Sequence, residues 1–485
     1  MAILCDNALV VTAEEEKPLL EGQQLVIDRG VIAALGKRIH LEHFSIDRRI
    51  DCTGRIVLPG LVNAHSHLTE ILQRSMRDNV RMETWRGYRA RTEEMAHLTA
   101  EEIGAAAELA CGEMLKHGVT AVVDHFSTRP GLSVAKMKAI LGAFAKTGIR
   151  GALAASLRDQ DFIQLISSRS GAKSSDARIE EPWREEFLEV LEYVKNSSGT
   201  SRLMIAPSSP QNCSDGLLRE VSRLAAQHDL GIHTHLLETR LQFWAARKLY
   251  RGSLVGHLRR LGFLSDRLSA AHGVWLREEE LDLMATSGAS IVHNPASNLK
   301  LGSGVAPVIK MRKHGVNVAL GTDGGDTSDT YSIFDQMRLA AFLSRLTSER
   351  SEEWVTAQEA LRMGTANGAN AIPAWRGKIG KIKKGRRADL IILKSQLPLF
   401  PLNNIIHQLV FCEGGGSVDT VLVDGEVVVE EGRLTKVDED TLVERVKPIS
   451  KRMKQFYNQL QRRSDPAERT VRRLYQKAFR DRSRS

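Results

Sequence analysis

The segment between about residues 58 and 375 alternates short apolar runs with longer stretches of helical character. Short apolar runs bounded by turn residues are typical of buried strands, and repeated strand and helix units favour a parallel sheet. Eight such runs occur, at residues 58–67, 119–124, 149–154, 202–207, 230–235, 268–272, 289–294 and 316–323. Because eight strands close a (β/α)₈ barrel, the pattern predicts an α/β fold built on a TIM barrel.

The two ends of the chain have a different pattern, in which short β-rich runs are separated by tight turns. Asp28-Arg29-Gly30 stands between two such runs near the start, and Asp424-Gly425 stands between two more near the end. Both are hairpin signals. We therefore predict that residues 1–57 and 376–440 together build a small β-sandwich domain, with the barrel at 58–375 between them.

Residues 441–485 are predicted to form a basic helical tail. Apolar side chains recur at helical spacing from Leu442 to Leu460, and Pro466 can begin a second helix. The tail holds 14 Lys or Arg and 4 Asp or Glu, so the net charge of +9 becomes −1 without it. We interpret the basic face as solvated and expect no nucleic-acid or membrane partner, because neither a motif nor an aromatic pattern supports one. The apolar stripe predicts a homodimer contact.

The remaining composition indicates a soluble, cytoplasmic protein. The amino terminus lacks the basic and then apolar pattern of a signal peptide, and no apolar run is long enough to span a bilayer. The five cysteines are far apart and show no Cys-x-x-Cys spacing. This argues against both a disulfide framework and a thiolate zinc site.

Polar side chains collect at the carboxyl ends of the predicted strands, where barrel active sites lie. His65 and His67 end the first strand, His235 the fifth, His272 the sixth and Asp323 the eighth. Alternate residues of a strand share a face, so His65 and His67 can bind one metal ion. Three imidazoles and a carboxylate suit one divalent ion, Zn²⁺ first and Fe²⁺ as the alternative. Such an ion lowers the pKa of a bound water from about 16 towards ~7 and supplies hydroxide for hydrolysis.

Five ordered motifs carry a resemblance to a known family: Leu58-Pro-Gly-Leu-Val-Asn-Ala-His65-Ser-His67, His235-Leu-Leu-Glu238-Thr, Ala-His272-Gly, His293-Asn-Pro-Ala-Ser-Asn298 and Gly-Thr-Asp323-Gly. Over nearly its whole length the chain resembles the amidohydrolase superfamily, in particular its cytosine/adenosine-type deaminases and triazine hydrolases. The resemblance implies that one metal ion is bound by His65, His67, His235 and Asp323. It also implies that Glu238 and Asp323 move protons and that His272 orients or polarises the reacting group.

The residues themselves leave alternatives open. His233 shares a strand face with His235, and we choose His235 because it lies nearer the end of the strand and has Glu238 three residues further on. Glu238 can also be interpreted as a surface acid, and His272 as a fourth metal ligand instead of the aspartate. Family members with two metals have a lysine at the end of strand four, and since residues 205–211 contain none, we expect a mononuclear site.

Substrate recognition is less well defined. By their spacing, Arg74, Trp85 and Glu94 resemble substrate-contacting residues of nucleoside-type deaminases, and Asn298 in the fourth motif is a further candidate. An ordinary place on a helix face explains any of the first three equally well. The chain also departs from the adenosine-type pattern, because those members usually carry histidine where this chain has Ser208.

The combined pattern predicts a metal-dependent hydrolase that deaminates an amino-substituted nitrogen heterocycle of purine, pterin or triazine type. Glu238 favours loss of an amine, because a carboxylic acid there can protonate the ring and the leaving group. Hydrolysis of another bond is the enzymatic alternative, with chloride or alkylamine leaving a triazine, or cleavage of an amide or urea. A catalytically silent barrel that binds partners through its basic tail is the non-enzymatic alternative.

Overall fold

The computed structural model describes residues 2–127, 132–167, 182–197, 199–394, 397–461 and 466–480, without the side chains of residues 94, 95, 466 and 467. Two β-sheets organise these residues, and each contains nine strands. One sheet is the curled sheet of the central segment, and the other combines strands from both ends of the chain. None of the described helices has the length and apolar character needed to pass through a bilayer.

The mixed sheet begins with five strands from the start of the chain, which are β1 (Ala2–Val11), β2 (Leu19–Asp28), β3 (Val31–Gly36), β4 (Ile46–Asp51) and β5 (Arg55–Pro59). Four later strands complete it, namely β15 (Leu390–Lys394), β16 (Val418–Val423), β17 (Glu426–Glu430) and β18 (Arg433–Leu434). β5 and β15 pair antiparallel at the centre of the sheet and join the two ends of the chain.

The central sheet is parallel throughout and follows chain order. Its strands are β6 (Leu61–His67), β7 (Val119–Phe126), β8 (Arg150–Leu157), β9 (Arg202–Pro207), β10 (Gly231–Leu236), β11 (Leu268–His272), β12 (Ser290–His293), β13 (Asn317–Leu320) and β14 (Asp323–Gly324). β13 pairs with β12, and β14 pairs with β6, so the last predicted strand closes the sheet on itself. The fold is therefore of the TIM-barrel type, as the pattern of eight runs predicted.

The eighth predicted strand is broken at residues 321 and 322, which separate β13 from β14. Gly321 tolerates no side chain, because a Cβ there would lie 2.5 Å from Asn294 Oδ1 and 2.8 Å from the carbonyl oxygen of His65. The interruption lets one segment pair with β12 through its first half and with β6 through its second half. It also places Asp323 beside β6, the strand that carries His65 and His67.

Helices lie between the barrel strands and after them. In chain order they are α1 (Met82–Ala96), α2 (Ala100–Lys116), α3 (Val134–Thr147), α4 (Phe162–Ser167), α5 (Trp183–Asn196), α6 (Asp215–Gln227), α7 (Arg240–Leu249), α8 (Leu254–Arg260), α9 (Glu278–Ser287), α10 (Pro295–Lys300), α11 (Val308–Lys313), α12 (Ile333–Ser344), α13 (Ala357–Met363), α14 (Ala366–Asn370), α15 (Ile405–Phe411), α16 (Glu439–Gln461) and α17 (Pro466–Arg480). A capping box begins α2, in which the Thr99 hydroxyl and the Glu102 carboxylate each accept from the other's backbone N–H.

The tail folds back over the barrel as α16 and α17. The apolar stripe of α16 is buried at Leu442, Val446, Ile449, Met453 and Leu460. On the same helix, Arg452 donates to the carbonyl oxygen of Ala96 at 3.1 Å and pairs with Glu102 at 2.8 Å, which ties α16 to α1 and α2. The stripe that we predicted as a homodimer contact is thus covered within the chain, because apolar side chains find a partner surface on their own barrel.

Candidate metal centre and active-site pocket

Two histidine side chains at the carboxyl ends of β6 and β10 are fixed by backbone carbonyl groups. His67 Nδ1 donates to the carbonyl oxygen of His125 at 2.6 Å, and His235 Nδ1 donates to that of Ser208 at 2.5 Å. Because a carbonyl oxygen can only accept, these contacts keep the proton on Nδ1 and leave Nε2 unprotonated, with a lone pair available. The two Nε2 atoms face each other at 3.2 Å.

His65 reaches the same tautomer through a longer hydrogen-bond chain. Its Nδ1 lies 2.8 Å from His233 Nε2, and His233 Nδ1 lies 2.7 Å from the Ser269 hydroxyl, which donates to the carbonyl oxygen of Ile232. Since the serine proton is used, the hydroxyl accepts from His233, which in turn accepts from His65. His65 Nε2 is left buried without a hydrogen-bond partner. His233 therefore orients His65 instead of replacing His235.

Asp323 completes the cluster from β14. Its Oδ1 lies 3.4 Å from Nε2 of both His65 and His67 and accepts from the Gly324 N–H, while its Oδ2 accepts from the Ser297 hydroxyl at 2.6 Å. Burial alone would raise the pKa of Asp323, but the neighbouring histidines outweigh it and hold that pKa well below its usual value. The backbone of Asp323 has a φ of 63°, a left-handed conformation that non-glycine residues adopt rarely and often at functional sites.

These donor atoms fit a divalent metal ion. The Nε2 atoms of His67 and His235 lie 3.2 Å apart, and Asp323 Oδ1 lies 3.4 Å from the Nε2 atoms of both His65 and His67. Ligands about 2.1 Å from a tetrahedral ion are separated by roughly 3.4 Å. Burial lowers the pKa of all three histidines, to about 3 for His67, so their imidazoles are neutral. Neutral imidazoles with converging lone pairs beside an ionised carboxylate form a metal-binding donor set.

Glu238 and His272 stand beside these donors and face the pocket. Glu238 Oε2 lies 3.9 Å from His272 Nε2, and its Oε1 accepts from the Ser303 hydroxyl at 3.5 Å. Burial raises the pKa of Glu238 to about 7, although His272 acts in the opposite direction. His272 Nδ1 donates to Asn298 Oδ1 at 2.9 Å, so its Nε2 is the free nitrogen, 4.0 Å from Asp323 Oδ2. A carboxylic acid and an oriented imidazole therefore flank the space next to the metal donors.

Helix α1 provides one wall of the pocket, and the predicted Trp85 is part of it. The indole Nε1 donates to Asp326 Oδ2 at 2.9 Å, and one turn later Arg89 pairs with Glu70 at 3.0 Å. Burial raises the pKa of both acids, to about 6 for Asp326. These contacts fix the orientation of α1 over the pocket, because each joins a helix residue to the ends of β6 or β14.

Two other predicted substrate-binding residues, Arg74 and Asn298, do not line this pocket. Arg74 is outside the pocket lining and pairs with Glu113 of α2 at 2.6 Å. Asn298 accepts from His272, which gives it a role in orienting that ring. The side chain of Glu94 lies outside the described part of the structure.

Several pocket residues were not singled out from the sequence, including Glu70, Arg89 and Arg158. Arg158 directly follows β8, where burial lowers its pKa to about 10, and in the described part of the chain it forms no salt bridge. Arg158 was missed because the predicted third strand ends at residue 154, whereas β8 runs to Leu157. Helical spacing from Trp85 would have found Arg89 four residues later.

Solved structures with this architecture include two zinc-bound enzymes. An adenosine deaminase from Xanthomonas campestris with bound zinc superposes with a TM-score of 0.84 at 27% identity, covering 93% of this chain and 98% of that chain. The atrazine chlorohydrolase of Arthrobacter aurescens, complexed with zinc, also superposes with a TM-score of 0.84 at 27% identity, covering 92% of this chain and 100% of that chain. Both enzymes therefore share the overall fold of this chain.

Sequence comparison points in the same direction. The 5'-deoxyadenosine deaminase of Methanosarcina mazei is 32% identical over 443 residues, which cover 91% of this chain and 96% of that protein. The model of the amidohydrolase family matches residues 56–428. The matched segment contains His65 and His67, all the barrel strands and Asp323. The chain belongs to the amidohydrolase family.

Proposed function

We propose that this protein is a metal-dependent deaminase that hydrolyses the exocyclic amino group of a purine-type heterocycle. Glu238 is the observation that carries the proposal. A carboxyl group whose pKa is raised by burial to about 7 stands beside the metal donors and lines the pocket. Near neutral pH it can hold the proton that a departing amine requires.

His65, His67, His235 and Asp323 would hold the ion, and zinc is the ion we propose. Two structural relatives were solved with zinc, and a set of three nitrogens and one carboxylate oxygen suits that metal. When bound, such an ion acts as a Lewis acid that brings the pKa of a coordinated water to about 7. The neutral imidazoles and the ionised aspartate described above are the protonation states that this binding needs.

The residues around the donors supply the proton transfers. Asp323 Oδ2 can accept the proton of the attacking water as the oxygen bonds to the ring carbon that bears the amino group. Glu238 gives its proton to the adjacent ring nitrogen. The proton held by Asp323 then passes to the amino group, which leaves as ammonia, while the hydroxyl on the same carbon returns its proton to Glu238 and becomes the carbonyl group of the product. His272 Nε2, which is free of its own proton when the ring is neutral, accepts a hydrogen bond from the water and directs its lone pair at the ring.

An adenosine-type nucleoside is the substrate class that we propose. The named function of the Methanosarcina relative and of the Xanthomonas structure supports a 6-aminopurine. Trp85 and Arg158 line the pocket, where an indole can contact a planar heterocycle and a guanidinium can donate hydrogen bonds to its substituents. Ser208, where adenosine-type members usually carry histidine, lines the same pocket and would make a different contact with the base.

Release of a group other than ammonia is the second candidate, because a chlorohydrolase of triazines superposes as well as the adenosine deaminase does. An amine is the poorer leaving group, and the protonated Glu238 is needed more for ammonia than for chloride. The deaminase is therefore our first choice.

A release assay decides between the two. Purified protein loaded with zinc is given adenosine, 5'-deoxyadenosine, 2-aminopurine, a pterin, an aminotriazine and a chlorotriazine, and ammonia and chloride are measured. We expect ammonia from the adenosine-type compounds. Chloride release without ammonia from any compound would reverse the order of the two candidates, and the absence of both, together with no bound metal, would favour a binding protein. Size-exclusion chromatography with light scattering tests the homodimer prediction separately.

A further inference from the structure

The C-terminal helix α17 lies against the active-site wall. Its buried side chains form one apolar cluster with those of α7 and with Phe162. The α17 members are Val471, Leu474, Tyr475 and Ala478, and the α7 members are Leu241, Trp244 and Ala245. Arg81, just before α1, stacks on the Tyr475 ring with its guanidinium carbon 4.3 Å from the ring centre. The last helix of the tail is thus wedged between the helix that lines the pocket and the helix that follows Glu238.

A buried hydrogen-bond chain runs from this helix into the site. The Tyr475 hydroxyl donates to Glu83 Oε2 at 2.9 Å, and the Thr239 hydroxyl donates to Glu83 Oε1 at 2.6 Å. Thr239 Oγ1 in turn accepts from the backbone N–H of Gln242 at 3.2 Å, which caps α7. Gln242 Oε1 accepts from the backbone N–H of Glu238 at 2.8 Å. Each link is a direct contact between buried groups.

The chain of contacts joins two parts of the proposed site that are far apart in sequence. Glu83 belongs to α1, which carries Trp85 and Arg89 into the pocket, whereas Glu238 and Thr239 belong to the turn between β10 and α7. The Glu83 carboxylate contacts both Tyr475 and the turn that contains Glu238. Burial raises its pKa, and the hydrogen bonds from Thr239 and Tyr475 oppose that rise and favour the ionised acceptor.

We propose that Tyr475 is a positioning residue of the active site. Through Glu83 and Thr239 it fixes the position of helix α1 relative to the turn that contains Glu238. The basic tail is then part of the catalytic architecture, although no residue of it lines the pocket in the described structure. The inference rests on the proposed function for its kinetic readout only. A small displacement of a proton donor lowers kcat more than it changes KM, because the substrate still binds while the transition state is poorly aligned.

The kinetic test uses Tyr475→Phe, which keeps the ring and its stacking with Arg81 and removes only the hydroxyl. Tyr250→Phe is the matched control, because Tyr250 is a half-buried tyrosine at the end of the same α7 and does not contact Glu83. We expect Tyr475→Phe to lower kcat by about tenfold to 100-fold with little change in KM or zinc content. A kcat equal to that of Tyr250→Phe would overturn the proposal.

A double-mutant cycle with Glu83→Gln tests the route of the effect. If Tyr475 acts through Glu83, the double variant is no slower than Glu83→Gln alone. Effects of the two substitutions that multiply would show that Tyr475 acts by another path, and would also overturn the proposal.

Amide hydrogen exchange keeps this inference separable from the proposed function. In Tyr475→Phe we expect faster exchange at residues 82–92 and 238–242 than in Tyr250→Phe, whatever the substrate is. If the wild-type protein releases no ammonia from any compound, the proposed function fails and the exchange rates alone decide the inference. Unchanged exchange in both segments would overturn it.

Discussion

The two sides of the pocket are held in place by different means. On the metal side, His67 and His235 each donate to a backbone carbonyl group at a strand end, and Asp323 accepts from the neighbouring Gly324 N–H. On the wall side, which is formed by helix α1, Trp85 and Arg89 are held by side chains from other parts of the chain. Backbone contacts at strand ends change little with side-chain substitution, whereas the helix wall depends on each partner.

This difference implies that the two sides respond differently to mutation. Substitution of a metal-side residue should abolish a step of the chemistry and leave the remaining geometry intact. Substitution on the wall should shift affinity or alignment by smaller factors. The following experiments, from the largest expected effect to the smallest, test that division.

Loss of the Asp323 carboxylate is expected to be the most severe change. Asp323→Asn removes the carboxylate that we propose both as a metal donor and as the acceptor of the water proton, so kcat/KM should fall by roughly 10⁴-fold, the upper range for a proton-transfer residue. Ammonia release and elemental analysis measure the two losses. Asp329→Asn is the control from the same segment, because Asp329 pairs with Lys300 away from the donors. Retained zinc with full activity in Asp323→Asn would remove the basis for the metal side.

Glu238→Gln should separate proton donation from metal binding. The amide cannot deliver a proton, so kcat should fall by about 10²- to 10³-fold while the zinc content stays at the wild-type level. Steady-state kinetics and elemental analysis on the same preparation check both parts. Equal loss of zinc and activity would instead assign Glu238 to the metal side.

His233 is expected to act on the metal through the orientation of His65. His233→Leu removes the acceptor for His65 Nδ1, and zinc affinity measured by competition with a chelator should fall by about tenfold to 100-fold. Ser269→Ala, which leaves His233 in place, should have a smaller effect in the same direction. Unchanged affinity in both variants would contradict the hydrogen-bond chain.

The pH dependence of kcat/KM should report Glu238. Its pKa is raised to about 7, so the acid is protonated below that pH and loses its proton above it. We therefore expect kcat/KM to fall by about tenfold per pH unit on the alkaline side of 7. The Glu238→Gln variant should lack this limb; if the limb persists unchanged there, another group is responsible.

The smallest effects should separate two arginines, Arg158 in the pocket lining and Arg74 outside it. Arg158→Ala should raise KM by roughly fivefold, because the guanidinium lines the pocket without a salt-bridge partner among the described residues. Arg74→Ala should change KM by less than about twofold, since Arg74 pairs with Glu113 outside the pocket lining. A larger rise in KM for Arg74→Ala than for Arg158→Ala would indicate that Arg74 contacts the substrate.

The metal side of the pocket was largely predictable from the sequence because its determinants are local. Two histidines one residue apart at the end of an apolar strand share a face, and the carboxyl ends of parallel strands meet at one end of a barrel. The order of eight apolar runs thus predicted the barrel and placed His65, His67, His235, His272 and Asp323 at one end of it. Spacing alone left His233 as an alternative to His235 and His272 as an alternative to Asp323, and the resemblance to the amidohydrolase family selected the ligand set. The tautomers, which depend on His233, Ser269 and backbone carbonyl groups, required the structure.

The wall side was not predictable in the same way because its determinants are long-range. Arg74 and Trp85 stand in the same stretch, and nothing in their spacing shows that one turns towards α2 and the other towards Asp326. Asn298 was a substrate candidate by its motif, yet its amide faces the far side of His272. The apolar stripe of α16 fits a dimer contact or an intramolecular one equally well, and only the packed chain distinguishes them.

The contact between Tyr475 and Glu83 joins residues 392 positions apart. Helix α1 lies near the start of the barrel in chain order, and the helix that carries Tyr475 follows the whole barrel. Contacts between residues so far apart in sequence require a long loop to close before they form. The wall formed by α1 is therefore expected to become rigid later in folding than the strand ends that carry the histidines.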